Sequence, residues 1–446
     1  MKNILLLVSY FPPDNHVGAW RWARLTKKLE DKGYKIHVVS IDNKNKDYGI
    51  EKIKGVHEVK RIKNPYRRSI RHLYSRYKSS FSYIHKTEVS SNNLNKPPSK
   101  RKYEELTKLG KIRRFISLLI DFPDFSWSSS IYYFKEGSRI IENNHIDIII
   151  GSHPYVSCIK AANELSLRYK IPWIADLRDG WSGNLFTPYS DFRLLFSLLK
   201  RKEEKLLRGA SKVVTINSKL AKVINCDESK IEIISNSFEG VIDKPEEDLA
   251  YKKDTRSKKN FLEIFFSGGV KSDHNFYPLL RAIKKFRDMK GDHIRFHYYG
   301  KRFDFLDSYG KSIKLDPDTL IDHGYVSISE VNQAINEMHV LIIFGWLGKH
   351  NDTYQTGKVF DYINSFKPII AIDNDTSALA ETINFCRAGF VSTKEDEIFK
   401  YLIEAYENNN FHNDFILKLN IDAINSFSVE NTSNQYDLIL KKLIKL

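Results

Sequence analysis

The feature that most constrains the fold of this chain is the alternation of short apolar runs with segments of helical period. Residues 4–9 and 35–41 are apolar runs, and residues 19–32 between them carry apolar side chains at spacings of three and four. A strand, a helix and a strand in this order form a βαβ unit, whose two strands are parallel. The first part of the chain is therefore predicted to build a parallel sheet covered by helices.

The same alternation continues on both sides of one charged stretch that is poor in apolar residues, at 241–260. We interpret this stretch as a linker between two α/β domains, residues 1–240 and 261–428, and expect a last helix in 429–446 to cross back to the first domain. Further predicted strands lie at 146–151, 173–176, 212–215, 231–234, 263–266, 295–299, 340–344, 368–372 and 389–391. Further predicted helices lie at 155–169, 277–289, 329–338 and 358–365.

Composition favours a globular protein of the cytoplasm. No run of about 18 apolar residues occurs, so no membrane-spanning helix is expected. The N-terminal apolar run is short and resembles a buried strand more than a signal peptide. The three cysteines (Cys158, Cys226 and Cys386) are far apart, which argues against a disulfide framework or a cysteine metal site.

Positive charge is concentrated in one segment. Residues 60–114 contain seventeen Lys and Arg against three Glu, a net charge of +14 in a chain whose total is +16. Aromatic residues are interleaved among these charges, and residues 108–120 are predicted to form an amphipathic basic helix. Such a field attracts phosphates on anionic lipid, nucleic acid or a substrate. The region at about 60–125 is expected to be an insert in the first domain, or else a solvated charged excursion.

Two glycine-containing segments in the second domain are candidate phosphate sites. Gly268 and Gly269 follow a predicted strand and precede Lys271, so that backbone amides can approach a phosphate closely. A plain turn is the alternative. Thr356 and Gly357 precede the second segment, the helix predicted at 358–365.

Lys358 lies in the first turn of the helix predicted after Gly357, where free amides and a partial positive charge suit a diphosphate. Asp361, one turn later, can accept hydrogen bonds from ribose hydroxyls. The alternative is Thr356 as an N-cap followed by a surface Lys and Asp.

In the first domain, candidate residues follow two predicted strands at their carboxyl ends, the usual place for ligands in parallel sheets. His153 can act as an acid, a base or a ligand for a sugar hydroxyl, unless it is only a loop histidine bonded to backbone. Asp179 is a candidate for binding the acceptor or the sugar. Alternatively, Asp176, Arg178 and Asp179 form a local ion-pair network that orders the loop.

Together these segments make the chain resemble the retaining glycosyltransferases of family 4, which have the GT-B fold. The resemblance covers most of the chain outside about 60–125 and the linker. In the first half it rests on YFPP at 10–13 with Gly18, HP at 153–154 and IPWIADLRDGW at 171–181. In the second half it rests on FSGG at 266–269, GKVFDY at 357–362 and KPII at 367–370.

The resemblance implies two Rossmann-like domains that face each other across a cleft, with the donor held mainly by the second. Asp361 falls where a family glutamate holds the ribose, and Lys271 where a basic residue contacts the diphosphate. Gly18 matches the glycine loop that closes on the donor phosphates, and His153 a histidine near the reacting carbon. The family often carries an earlier glutamate at the position of Thr353.

The expected activity is retaining transfer of a hexosyl or N-acetylhexosaminyl group from a nucleotide-sugar donor, with no cofactor and no bound metal. Lys271, Lys358 and backbone amides would stabilise the leaving diphosphate. The acceptor is expected to be a glycan or a lipid-linked molecule in polysaccharide or glycoconjugate assembly. The basic segment 60–118 would hold the protein on the anionic cytoplasmic face of a membrane.

Three other interpretations stay open. A nucleotide-sugar 2-epimerase has the same fold but needs no basic insert. A non-catalytic protein that binds sugar nucleotides or a lipid surface is compatible with Thr353. A nucleic-acid binder would explain the charge, but the charge is confined to one segment and no recognition motif is present, so no nucleic-acid partner is expected.

Overall fold

The computed structural model of the 446-residue chain describes residues 1–14, 17–42, 56–63, 108–184, 187–241, 261–271, 273–300, 304–347, 352–411 and 419–444. Two compact α/β units are present. The described residues up to Glu239, together with Val429–Leu446, form unit 1, and Gly240–Ser428 forms unit 2. The linker predicted at 241–260 lies outside the described residues, apart from Val241.

Unit 1 contains a seven-stranded parallel sheet in the order β3-β2-β1-β4-β5-β6-β7. Its inner strands are apolar on both faces because helices cover both sides of a parallel sheet. The strands are β1 (Lys2–Leu7), β2 (Tyr34–Asp42), β3 (Val56–Lys63), β4 (Ile148–His153), β5 (Trp173–Leu177), β6 (Lys212–Thr215) and β7 (Ile231–Ile233).

Helices pack on both faces of this sheet. On one face, Trp22 and Leu25 of the first helix meet Tyr436 and Leu440 of the last, and all four are buried. On the other face the third, fourth and fifth helices enclose a second apolar cluster. The described helices of unit 1 longer than one turn are α1 (Trp20–Asp31), α2 (Lys108–Ile120), α3 (Ser130–Asn143), α4 (Val156–Tyr169), α5 (Arg193–Leu207) and, numbered last in the chain, α14 (Val429–Ile444). The one-turn helix α6 spans Ser218–Ala221.

Unit 2 repeats the architecture with six parallel strands in the order β10-β9-β8-β11-β12-β13. The strands are β8 (Leu262–Ser267), β9 (Ile294–Tyr299), β10 (Leu320–Gly324), β11 (Val340–Phe344), β12 (Ile369–Ile372) and β13 (Gly389–Val391). The helices are α7 (Tyr277–Lys290), α8 (Asp304–Ser312), α9 (Ile328–Glu337), α10 (Lys358–Ile363), α11 (Ala378–Cys386), α12 (Glu395–Phe411) and α13 (Ile421–Asn425).

Both sheets reverse their strand order next to their first strand. In unit 1, β1 lies between β2 and β4, and in unit 2, β8 lies between β9 and β11. Such a reversal opens a crevice at the carboxyl ends of the strands, where open α/β sheets bind ligands. The fold thus places a candidate crevice in each unit beyond the ends of β1 and β4, and of β8 and β11.

Two strands were not predicted from the sequence, and both are polar edge strands. β10 reads LIDHG and has no buried residue, and β3 reads VHEVKRIK with a single buried residue, Ile62. Since β3 continues to Lys63, the sheet includes the first residues of the segment that was expected to be an insert. The remainder of that segment up to residue 107 lies outside the described residues, and α2 has the bounds that were predicted for the basic helix.

Candidate functional site

Arg178 connects the candidate loops of unit 1. It follows β5, and its Nε donates to the carbonyl oxygen of His153 at 3.1 Å, while its Nη1 donates to the carbonyl oxygen of Gly18 at 3.0 Å. Gly18 lies in a short 3-10 turn before α1, and His153 is the last residue of β4. One guanidinium therefore brings together the loops after β1, β4 and β5, which include three of the predicted positions: Gly18, His153 and Asp179.

His153 is a buried imidazole, with 4% of its surface exposed. Burial lowers the pKa of His153 to about 4, against a smaller opposite effect of the Asp179 carboxylate. Its Nδ1 has no hydrogen-bond partner among the described residues. A neutral imidazole with an unused ring nitrogen suits a hydrogen bond to a hydroxyl, whereas a proton donor at pH 7 would need a higher pKa.

Asp176 has partners from three other elements. Its fully buried carboxylate accepts hydrogen bonds from Arg21 Nη2 at 3.1 Å, Trp22 Nε1 at 3.0 Å, Ser152 Oγ at 2.8 Å and the Tyr436 hydroxyl at 2.8 Å. The pairing of Asp176 with Arg21 joins β5 to α1, and Tyr436 adds α14. The network lies immediately before the loop that carries Arg178 and Asp179, so it fixes where that loop begins.

These contacts correct the local ion-pair alternative. Arg178 feels both Asp176 and Asp179 electrostatically, but its donors go to backbone carbonyls and the ion-pair partner of Asp176 is Arg21. The Asp179 side chain is exposed at the start of the loop. It is therefore available to solvent or a ligand.

Arg61, at the edge of the sheet, holds the loop after β1. It donates to the carbonyl oxygens of Phe11 and Pro12 and to the Ser40 hydroxyl, and its guanidinium lies 5.9 Å from the Phe11 ring. Its position inside a highly basic segment concealed this role in the sequence. Together, Arg61 and Arg178 fix the loop that ends at Gly18 at two points.

In unit 2, Gly268 and Lys358 lie against each other. Gly268 follows β8 with φ +116, and a β-carbon at this position would lie 2.8 Å from Cε of Lys358. The Lys358 ammonium lies 4.4 Å from the Phe266 ring centroid. Burial alone lowers the pKa of Lys358 to about 8, and none of the described carboxylates forms an ion pair with it. A half-buried cation without a counter-ion is a natural site for an anion.

Three further side chains form a cluster that includes His274, on which the charge of Lys358 acts. Lys271 extends over Trp346, with its Nζ 5.0 Å from the ring centroid, and its backbone N–H donates to His274 Nδ1 at 3.2 Å. Burial, reinforced by the charges of Lys358 and Lys271, lowers the pKa of His274 to about 4. At neutral pH the cluster therefore holds two ammonium groups beside a neutral imidazole, an arrangement suited to a diphosphate.

Asp361 is exposed in the first turn of α10, and the next residue anchors that turn. The hydroxyl of the buried Tyr362 contacts the Ser267 backbone N–H at 3.2 Å and the Ser267 hydroxyl at 3.3 Å, which links α10 to the end of β8. The N-cap is Gly357 and not Thr356, which was the alternative considered from the sequence. The Thr356 carbonyl accepts from the Val359 N–H.

Gly269 lies beside Gly268 and is exposed. Unit 2 thus brings Gly268, Lys271 and Lys358 together, with Asp361 on the helix that Lys358 begins. His274 and Trp346 were not predicted. A signal existed for both, since Trp346 follows the strongly apolar run of β11 and His274 shares the loop of Lys271.

Within the described ranges, no group of three or more His, Cys, Asp and Glu could hold a metal ion. No helix in those ranges is long and apolar enough to cross a membrane.

No protein-family profile matches the chain, and no curated protein matches it. Its fold is nevertheless similar to many solved structures. A glycosyltransferase from Rickettsia africae has 13% identity and a TM-score of 0.60, with 100% of this chain and 99% of that chain covered. HepE of Anabaena in complex with UDP and glucose has 12% identity and a TM-score of 0.60, with 99% and 100% covered.

A third similar structure, from Listeria monocytogenes, is of a protein assigned as a UDP-N-acetylglucosamine 2-epimerase. It has 10% identity and a TM-score of 0.50, with 99% of this chain and 96% of that chain covered. At such low identities the likeness concerns the fold. The two Rossmann-like units of this chain are those of the GT-B fold.

Proposed function

We propose that this protein is a glycosyltransferase that takes its sugar from a nucleotide-sugar donor bound by unit 2. The observation that carries the proposal is the cation cluster at the end of β8. Lys358 has a pKa lowered to about 8 and no counter-ion among the described residues, it lies against Gly268, and its charge and that of Lys271 both act on His274. A diphosphate would supply the missing negative charge. Asp361, exposed on the same helix as Lys358, is proposed to accept the ribose hydroxyls.

We propose the following reaction. The bond between the anomeric carbon and a diphosphate oxygen breaks, and the acceptor oxygen forms the new bond to that carbon. Lys271 and Lys358 stabilise the negative charge on the leaving diphosphate, which takes up the acceptor proton. We propose that transfer needs no bound metal, retains the anomeric configuration and resembles that of family 4. A hexosyl or N-acetylhexosaminyl group is the proposed cargo.

Unit 1 is proposed to serve the acceptor and the sugar. His153, being neutral, would share a hydrogen bond with a sugar hydroxyl through its unused Nδ1. Asp179, exposed at the end of β5, would bind the acceptor. Arg178 would position both, and Gly18 would present its backbone to the donor phosphates.

The acceptor is proposed to be a glycan or lipid-linked molecule of polysaccharide assembly at the cytoplasmic face of a membrane. The support is the net charge of +14 over residues 60–114, which complements anionic lipid. The three cysteines are free thiols, which suits a reducing compartment.

Calorimetric binding of UDP, GDP, dTDP and CMP to the intact protein tests the donor site. UDP is the first choice because the similar Anabaena protein binds it. We expect one nucleotide to bind and Asp361→Ala to weaken it at least about tenfold, as the loss of two ribose hydrogen bonds predicts. The matched control is Asp288→Ala, an exposed carboxylate of α7. If the folded protein binds no nucleotide, the transferase proposal is wrong.

The epimerase is the second candidate, because a protein assigned to that activity shares the fold. Incubation with UDP-N-acetylglucosamine and no acceptor separates the two activities. Appearance of the 2-epimer would favour the epimerase. The transferase is favoured if the sugar nucleotide stays intact without an acceptor and is consumed once an acceptor extract is added. Nucleotide binding with neither reaction would favour a non-catalytic binding protein.

A further inference from the structure

Helix α2 has two apolar faces, and only one of them packs on the described part of the protein. Phe115 and Leu118 point inward, where Leu118 is 7% exposed and the Phe115 ring lies 5.3 Å from that of Phe192. An ion pair from Arg114 to Asp191 reinforces this orientation. The helix therefore cannot rotate its other face inward without losing these contacts.

The second face, here called the outer face of α2, consists of Ile112, Ile116, Leu119 and Ile120. These side chains are 55%, 51%, 48% and 59% exposed. Their spacing places them on one arc of about 100° around the helix. Single exposed apolar residues are ordinary, but four in register on one helix face mark an interaction surface.

A second copy of the chain or a lipid bilayer could cover this face, and the charge near it favours the bilayer. The exposed Arg113 lies beside the outer face. The first half of α2 is also the end of the segment 60–114, which has a net charge of +14. A second copy of the chain would bring two such segments together, and their like charges would repel. An anionic bilayer offers apolar depth for the four side chains and negative headgroups for the basic ones.

We propose that the outer face of α2 inserts into the interface of an anionic lipid bilayer, with Arg113 at the level of the headgroups. The inference deepens the membrane part of the proposed function by naming the element that enters the lipid. It does not depend on glycosyl transfer. Electrostatic attraction by the basic segment would bring the protein to the surface, and the apolar face would hold it there.

Vesicle flotation of the full-length protein tests the proposal. Vesicles of phosphatidylcholine mixed with phosphatidylglycerol are compared with vesicles of phosphatidylcholine alone. The variant Ile112→Ser/Ile116→Ser should reduce partitioning to the anionic vesicles at least about tenfold, because two large apolar side chains no longer leave water. The matched control is Leu167→Ser, on α4, whose side chain is 61% exposed in unit 1 and should leave partitioning unchanged.

A second variant separates insertion from charge attraction. Ile116→Trp keeps the outer face apolar, and the fluorescence that it adds to that of the wild type should be quenched by brominated lipids in the anionic vesicles. Adding salt should weaken binding of the wild type only in part, whereas binding of the serine variant should be abolished.

Four results of the lipid-binding and association measurements would overturn the proposal. In the first two, the wild type fails to float with anionic vesicles, or the serine variant partitions to them as well as the wild type does. In the third, the fluorescence added by Ile116→Trp stays unquenched. In the fourth, the wild type forms a concentration-dependent dimer that the serine variant does not form. A lowered melting temperature of the serine variant would also overturn it, because the face would then be covered by the chain itself. Nucleotide binding measured on the same variants is expected to stay unchanged, so failure of lipid insertion and failure of the donor site are distinguishable.

Discussion

The end of the Lys358 side chain occupies the space in which a β-carbon of residue 268 would lie, so a side chain at that position would displace the ammonium group. A β-carbon there would be 2.8 Å from Lys358 Cε and closer still to Nζ. The positive φ of Gly268 excludes other residues for a second, independent reason. A side chain at residue 268 would therefore strain the loop after β8 and displace the half-buried cation of Lys358.

Gly268→Ala should weaken nucleotide binding by about 1–3 kcal/mol, because the backbone is strained and the ammonium is displaced. Calorimetry with the nucleotide that binds the wild type measures the change. Gly310→Ala is the control: Gly310 lies within α8, and its added methyl would be 3.6 Å from the nearest atom, Leu320 Cδ1. That variant should bind normally and be slightly more stable. Normal binding by Gly268→Ala would disprove the coupling of Gly268 and Lys358.

Lys358→Met should have opposite effects on stability and binding. The pKa of Lys358 is lowered from 10.5 to about 8, so the folded state disfavours the ammonium. Removal of this charge should raise the free energy of unfolding at pH 7 by roughly 1–3 kcal/mol, while the nucleotide affinity falls at least about tenfold. Denaturant titration and calorimetry measure the two effects. A variant that is destabilised and still binds would contradict the assignment.

The same shift predicts a pH dependence. Between about pH 8 and 10.5 the unfolded chain holds a proton on Lys358 that the folded protein has released, so the free energy of unfolding should rise with pH in that window. Nucleotide affinity should fall as the pH rises through about 8, because the site loses its charge. In Lys358→Met, the free energy of unfolding and the nucleotide affinity should both change less with pH. If both pH dependences stayed the same, a titratable group other than Lys358 would be responsible.

The lowered pKa of His153 predicts that acid destabilises the folded protein. Its pKa is lowered from 6.5 to about 4, so the unfolded chain takes up a proton on this residue between these values while the folded protein does not. The free energy of unfolding should therefore decline as the pH falls from 6.5 to 4, by up to roughly 3 kcal/mol for this residue. His153→Gln should flatten the decline in urea titrations across that range. His145→Gln, whose side chain is 86% exposed, is the control and should leave the curve unchanged.

Substitutions in the Asp176 network should reveal the unequal cost of losing a hydrogen bond and losing a charge. Tyr436→Phe removes one donor and should lower the free energy of unfolding by about 1.5–3 kcal/mol. Asp176→Asn leaves the buried Arg21 without its counter-charge and should lower it by roughly 3–5 kcal/mol. Tyr169→Phe loses a surface bond to Glu142 and should change it by less than about 0.5 kcal/mol. Equal effects of Tyr436→Phe and Tyr169→Phe would mean that the network contributes little.

The helices and strands that could be predicted from the sequence are those that bury a continuous set of apolar side chains. The run at β11 (Val340–Phe344) and the helical period of α2 were both recognised, because burial imposes a period that a single chain displays. β10 (Leu320–Gly324) carries no such period, since none of the residues of this edge strand is buried. The two α/β domains followed from the order of the recognised elements, whereas the GT-B fold was implied by the resemblance to family 4.

The site was less accessible to sequence reasoning because its contacts join distant positions. Asp176 and Arg178 looked like partners because they are close in sequence, whereas the ion-pair partner of Asp176 is Arg21, on the first helix of the chain. Positions next to strand ends could be found by rule, as His153 and Lys271 were. Which side chains meet there depends on crossings of the chain that leave no local pattern.

The return of α14 to unit 1 has a consequence for the order in which the protein is made. Ribosomes synthesise the seven strands of the described sheet of unit 1 before any residue of unit 2's sheet, yet the carboxylate of Asp176 receives its last donor, the Tyr436 hydroxyl, only after the whole of unit 2 has emerged. A first sheet that folded during translation would therefore lack one of the four hydrogen bonds to Asp176 until the last helix emerged.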